Sequence, residues 1–363
     1  MIRIVFLAVF AFSLTFAFIA CNVDKNSNND FDVTVRDFDV EVQDYDVEVK
    51  DFDVFNSEVD LKFDANAVIN SVSSDLVEMT LFLSDIETKK SQILDKDNFH
   101  GYFQLVKPGD TINLMAIEKK VIHNSELQKD NRISLVLDYS GSMSHNDNNS
   151  NQSNDSPPIF FLVKAVEEFI RIKSPDDLLS IIRFSGGYDP MIDFSSNKDA
   201  LIDAIYVDSP LSGGTALYSA INFSLMGFNS DMNKYNNAVI AFSDGSDNAS
   251  SISLDDLVQN CQRKKIPIFT IGLKSVDFYS YPLSFIALST GGFYYESPSP
   301  SDLIELYEAV SSNIKNSYHL TFYWDKNKFP QNINDYQINF ITKVVSSKIT
   351  IAQYMFPNIS LTQ

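Results

Sequence analysis

The chain has 363 residues, 44% of them apolar and 13% aromatic, which is enough for two buried cores and excludes a disordered polypeptide. Its formal charge of −20 excludes nucleic acid or an anionic lipid surface as the main partner, because both need clustered Lys and Arg. The imbalance is uneven: 14 acids face 4 bases between Asp24 and Asp64, a net of −10, as in a solvated acidic spacer.

Residues 1–20 read as a secretory signal. Arg3 supplies the positive start, and an apolar run from Ile4 to Ile19 follows, with Phe6, Leu7, Leu14, Phe16 and Phe18. Cys21 comes directly after Ala20, and the chain then turns polar through Asn22, Asp24 and Lys25. This arrangement resembles a bacterial lipobox, with Phe18 where that motif usually carries Leu. The resemblance implies lipidation of Cys21 and a membrane-anchored lipoprotein of the cell envelope, facing the periplasm or the surface. Simple secretion and an uncleaved anchor are the alternatives. Cys21 and Cys261 are the two cysteines of the chain, so a lipidated Cys21 leaves no disulfide partner. Cys261 shares a helical face with Leu254, Leu257 and Val258 and reads as a small buried hydrophobe.

Residues 21–56 contain a heptapeptide repeat: Asn29 to Val35, Arg36 to Val42, Gln43 to Val49, and a partial copy from Lys50 to Asn56. Acidic and apolar residues alternate within each copy, which favours extended chain. An odd repeat length flips the apolar face at every copy, and no a/d seam emerges for a coiled coil. An acidic stalk, or short strands broken by bulges, fits this pattern. An EF-hand does not, for want of its glycine-turned loop.

Strand-like runs occupy the next part, residues 57–130: Val68 to Val72, Leu76 to Leu83, Tyr102 to Val106 and Thr111 to Ile117. Pro108 and Gly109 suit the central positions of a tight turn between the last two. Further runs follow in residues 317–363, at Tyr318 to Trp324, Tyr336 to Val345 and Lys348 to Met355. Neither set makes a sheet by itself. One β-sandwich built from both flanks, with the central domain inserted between them, is the architecture expected.

Residues 131–316 alternate strands and helices. The apolar run Ile133 to Leu137 leads into Asp138, and Ser156 with Pro157 opens a helix whose core face is Ile159, Leu162, Val163, Val166, Phe169 and Ile170. A strand over Leu178 to Phe184, a helix near Asp199 to Ile205 and a strand over Ala238 to Phe242 come next. Ser253 and Asp256 form a capping pair for another helix, followed by a strand to Leu273, a short run at Gly292 to Tyr295 and a helix from Leu303 to Ile314. The expected fold is α/β: a doubly wound parallel sheet, Rossmann-like, with ligands beyond the carboxyl ends of its strands.

Asp138, Ser140 and Ser142 sit at one such strand end, and Asp244 at another. Between them, Thr215 follows Gly213 and Gly214 just before a helix. Three hydroxyls and two carboxylates suit a hard divalent cation that keeps some of its waters, Mg2+ or Mn2+. Two carboxylates formally cancel its charge. If either acts through water, the ion keeps an open, electrophilic position for an outside carboxylate.

This set resembles the metal-ion-dependent adhesion site of von Willebrand factor A domains, over roughly residues 131–316. The resemblance implies that Ser140, Ser142 and Thr215 ligate the metal directly or nearly so, and that Asp138 and Asp244 act largely through water, or directly, depending on state. It further implies a protein ligand whose acidic residue completes the coordination sphere, and a last helix, Leu303 to Ile314, able to shift. The long polar loop from Ser144 to Ser156 would border this site, either as part of the ligand surface or as an insertion without a role.

Enzymatic motifs are missing. His100, His123, His145 and His319 show no zinc spacing, and neither a G-x-S-x-G elbow nor a phosphate-binding P-loop occurs. The expected function is therefore binding: an exported adhesion or envelope protein docking a protein ligand through the metal. An envelope assembly scaffold and a metal-independent structural protein are the alternatives.

Overall fold

A computed structural model describes residues 57–144, 157–206, 213–228, 234–243, 247–273, 280–297 and 303–361. The expected signal segment, Cys21, the heptapeptide repeat, all but the first residue of the Ser144–Ser156 loop, and Asp244 lie outside them.

Strands β1 (Glu58–Val59), β2 (Phe63–Val72), β3 (Leu76–Asp85), β4 (Phe99–Lys107), β5 (Asp110–Met115) and β6 (Glu118–His123) come first, followed by the single turn α1 (Asn124–Leu127). The central part contains β7 (Asn131–Asp138), α2 (Pro158–Ile172), β8 (Leu178–Phe184), β9 (Tyr188–Ser195), α3 (Lys198–Ile205) and α4 (Leu217–Ser224). It continues through β10 (Asn236–Ser243), α5 (Leu254–Lys264), β11 (Ile268–Leu273), α6 (Tyr281–Thr290), β12 (Tyr294–Ser297) and α7 (Leu303–Lys315). Strands β13 (Tyr318–Tyr323), β14 (Gln337–Ser346) and β15 (Ile349–Phe356) close the chain.

Both flanks build one sandwich. Its five-stranded sheet runs β1-β15-β14-β4-β5 and its four-stranded sheet β2-β3-β13-β6. Strand β13, arriving from the central domain, pairs antiparallel with β3 on one side and β6 on the other, so it completes a sheet begun before that domain. Its period-2 alternation does this work: Tyr318, Leu320 and Phe322 enter the core while His319, Thr321 and Tyr323 face outward. The shared core gathers Phe103, Phe322, Trp324 and Phe340 from the two sheets. The Phe103 and Trp324 rings lie 4.4 Å apart, and the Trp324 indole N–H donates to the Leu114 carbonyl at 2.8 Å. Between β4 and β5 the turn takes φ +79° at Gly109, the left-handed position where glycine is favoured.

The central sheet is ordered β12-β11-β10-β7-β8-β9. The first five strands are parallel and β9 is an antiparallel edge. Strand β7 is buried on both faces. Ile133, Leu135 and Leu137 pack into the layer with Leu162, Phe169 and Val310, whereas Val136 packs into the layer with Leu217, Ile221 and Leu257. That two-sided burial is what a near-continuous apolar run in a doubly wound sheet requires. Cys261 lies fully buried in the second layer, and burial pushes its thiol up to about 12.

Three local readings change. Helix α2 begins one residue later than expected, with Pro157 as N-cap and Pro158 first in the helix, and no side-chain cap bond is made. Proline's fixed φ suits the first helical position, where its missing N–H costs no intrahelical bond. Strand β9 was not expected, because Asp189, Pro190 and Asp193 mask its pattern. The run expected at Gly292 to Tyr295 is displaced: Gly291, at φ +90°, caps α6, and β12 starts at Tyr294.

The sandwich and the central domain share one compact unit. Asn66 of β2, fully buried, donates its side-chain amide to the Gly292 carbonyl and, at 3.4 Å, to that of Leu288. A Cβ placed on Gly291 would come within 2.6 Å of the Ala67 carbonyl oxygen, so the turn after α6 docks on β2 through bare backbone.

Candidate functional site

The carboxyl ends of β7, β8 and β10 adjoin one another in the sheet, and Asp138, Ser140, Ser142 and the Thr215 loop are found at this end. Asp138 is the last residue of β7 and is fully buried. Its Oδ1 accepts the Ser140 backbone N–H at 2.8 Å, which bends the chain out of the strand and presents the next hydroxyls. The Ser140 and Ser142 hydroxyl oxygens lie 2.9 Å apart, Ser140 buried and Ser142 exposed at the rim. Tyr139, between them in sequence, points the other way. Its hydroxyl donates to the Ile205 carbonyl at 3.2 Å and its ring lies under the Arg183 guanidinium.

Sequence reasoning missed the partner of Asp138. The Ser243 hydroxyl, at the end of β10, donates to Asp138 Oδ2 at 2.6 Å. Both residues are fully buried. The next residue, Asp244, lies outside the described residues, so the structure places its strand end and not its side chain.

Thr215 is buried and reaches the same sheet end through its backbone. The Ala216 N–H donates to the Ser185 carbonyl just beyond β8, at 2.6 Å. The Thr215 N–H donates to Asn248 Oδ1 at 2.8 Å, and its carbonyl accepts from the Asn248 and Ala249 N–H groups. Gly214, at φ +95°, lets this loop approach Gly186: a Cβ on Gly214 would stand 3.1 Å from the Gly186 Cα. Gly214 therefore serves close approach of two loops.

A second set of residues that sequence reasoning missed secures α4. Its N-cap position is Ala216, which makes no side-chain bond. Asp247 Oδ2 accepts the Tyr218 N–H at 3.0 Å, and the Ser250 hydroxyl oxygen accepts the Ser219 N–H at 2.9 Å. The loop after β10 thus caps the helix after Thr215 from outside, satisfying amides that its own residues leave open. An N-cap lacking Ser, Thr, Asp or Asn was the one signal available in sequence.

The donor set fits a small hard cation. Two ligand oxygens in adjacent positions of an octahedron, each ~2.1 Å from Mg2+, stand about 3 Å apart, close to the Ser140–Ser142 separation. A neutral hydroxyl pair beside a buried carboxylate leaves room for charge from outside. Among the described residues no group of three or more His, Cys, Asp or Glu side chains forms a metal cluster.

Residues 133–309 match the von Willebrand factor type A domain family. The match spans just under half of the chain and falls on the doubly wound sheet, whose fold is that of this family. The chain matches none of the curated proteins. Among solved structures it is similar to an aerotolerance-related membrane protein from Bacteroides fragilis, 17% identical, covering 51% of this chain and 98% of that one, with a TM-score of 0.42. It is also similar to proximal thread matrix protein 1 from the mussel byssus, solved with a zinc-occupied metal-ion-dependent adhesion site, at 20% identity and TM-score 0.44, covering 56% and 49%. A von Willebrand factor type A protein from Catenulispora acidiphila is 11% identical with a TM-score of 0.44, covering 84% of this chain and 75% of that one.

Proposed function

We propose that this chain is an exported protein, anchored to a membrane of the bacterial envelope through a lipid on Cys21, that binds a protein ligand through a divalent metal. The metal is Mg2+ or Mn2+, held by Ser140, Ser142 and Thr215 with Asp138 and Asp244. The observation that carries this reading is the pair of hydroxyls 2.9 Å apart beside the buried Asp138 carboxylate. When bound, the ion supplies an electrophilic position for an acidic side chain of the partner. The chain's own residues hold the geometry. Each Asp138 oxygen already accepts one protein hydrogen bond, from Ser140 N–H or Ser243 Oγ, which favours Asp138 acting through water. Asn248 holds Thr215 through both its N–H and its carbonyl.

We read the activity as binding, not catalysis. His123 accepts the Ser125 N–H at the start of α1, and His319 lies in hydrogen-bond reach of Thr80 and Asn124, both engaged in the sandwich. Among the described residues no helix is long and apolar enough to cross a membrane.

Titration of the full chain with Mn2+, followed by loss of the free-ion paramagnetic resonance signal, tests the metal centre. One tightly held ion per chain is expected, displaced by Mg2+ and lost in Asp138→Ala. Uptake that ignores this substitution would sink the metal-dependent reading.

A further inference from the structure

A cleft of about 660 Å³ opens where the outer face of the four-stranded sandwich sheet meets the central domain. Glu78 and Thr80 of β3 and His319 and Thr321 of β13 line one wall. The other wall comes from the amino-terminal end of the α/β sheet: Lys129 before β7, Asn236 and Asn237 at the start of β10, and Pro267 before β11. The candidate metal centre is at the opposite end of the same strands, about 20 Å away along β7 by the rise of a strand.

The lining is basic in a chain whose net charge is −20. Lys129, Arg263, Lys264 and Lys265 reach the cleft, against one carboxylate among its described lining residues, Glu78. The Lys265 ammonium is engaged by the Asn70 carbonyl, which ties the end of α5 to β2. Arg263 donates to Asn260 Oδ1 at 2.6 Å, which holds its guanidinium on the α5 side. Lys129 is half-buried, and among the described residues its ammonium group makes no ion pair or hydrogen bond. Burial lowers its pKa, and its charge in turn helps hold His319 down to about 4, after the larger effect of burial. A partly desolvated cation without a counter-charge is an unfavourable arrangement that a bound anion relieves. The cleft's volume lies within the range of small-molecule sites, roughly 300–1,000 Å³.

We infer that this interdomain cleft binds a small organic polyanion bearing phosphate or carboxylate groups, its charged end held by Lys129, Arg263 and Lys264. Thr321 offers a neutral hydroxyl beside it, and Val68 and Pro267 an apolar surface. The ligand would touch both the sandwich and the central domain, and so would hold them in one orientation. The site is independent of the metal centre.

Calorimetric titration of the full chain, freed of metal on a chelating resin, with citrate and with pyrophosphate at fixed ionic strength tests this. Stripping the metal beforehand removes the metal centre from the readout. Saturable binding of at least one probe is expected, weakened about tenfold in Lys129→Gln and in Arg263→Gln, and unchanged in Asp138→Ala. A response to citrate alone identifies a carboxylate ligand, and to pyrophosphate alone a phosphate ligand. Arg263 is exposed on α5, so its substitution leaves the fold intact even if Lys129→Gln does not. Absence of saturable binding by both probes, or binding that the Arg263 substitution leaves unchanged, overturns the proposal.

Discussion

The Ser243 hydroxyl donates to Asp138 Oδ2 across 2.6 Å, tying the carboxyl ends of β10 and β7 side chain to side chain. The two strands are already paired through Phe242 and Leu137 just below. The bond therefore does not build the sheet. It sets the orientation of a buried carboxylate whose other oxygen is held by the Ser140 N–H.

Ser243→Ala is accordingly expected to lower stability by about 1–3 kcal/mol, the range for stripping a partner from a buried charged group. It should also weaken Mg2+ binding while leaving the fold intact. Thermal melts in EDTA and in saturating Mg2+ check both effects. At a hundred times its dissociation constant the ion stabilises by about 2.7 kcal/mol. For a domain of this size that is a rise of roughly 5–11 °C, which Asp138→Ala should abolish.

Asn66 and Gly291 form the join between sandwich and central domain. Replacing Gly291 with Val adds a side chain where a Cβ already meets the Ala67 carbonyl oxygen at 2.6 Å, at φ +90°. Asn66→Ala leaves the Gly292 carbonyl without its side-chain donor. The expected losses are several kcal/mol for the first and about 1–3 kcal/mol for the second. Denaturant unfolding should show a lower midpoint in both, and a less cooperative transition if the two parts come apart.

His319 makes stability depend on pH. Burial first, then the Lys129 charge, lowers its folded pKa to about 4 from the ordinary histidine value of 6.5. The unfolded chain thus binds this proton more readily than the folded one between those values. His319 therefore contributes to stability fully above pH ~6.5, and that contribution falls as the pH drops toward 4. The slope is at most about 1.4 kcal/mol per pH unit. His319→Gln should flatten urea-unfolding stability over this window, and an unchanged slope would count against the assignment.

Cys261 should be inert in the folded chain. Its thiol is fully buried and pushed up to about 12 by burial, so little thiolate exists at neutral pH. Peptide mass spectrometry after maleimide treatment should find Cys261 unmodified under native conditions and fully modified in denaturant. Native labelling would mean that α5 opens readily.

How much of this was legible in sequence depends on the reach of each interaction. The Asp138, Ser140 and Ser142 motif was readable because its geometry is local: a strand end, then hydroxyls two residues apart, bent by the Ser140 N–H onto Asp138. The alternation in β13 likewise announced a strand with one buried face. Helix α6 gave no such signal, because its apolar residues are not confined to one side: Leu283 and Ile286 are buried while Leu288 is exposed. Strand β9 hid behind Pro190 and two aspartates, which an edge strand tolerates. By itself, then, the sequence determined the alternating α/β order, the hydroxyl-rich strand end and the two half-sandwiches, all carried by neighbours in the chain. Only the tertiary structure decided that β13 enters between β3 and β6, that Ser243 holds Asp138, that Asp247 and Ser250 cap α4, and that basic side chains meet at an interdomain cleft. Each joins residues about 30 to more than 200 positions apart, whose pairing depends on which surfaces pack, and no local pattern of residues encodes that choice.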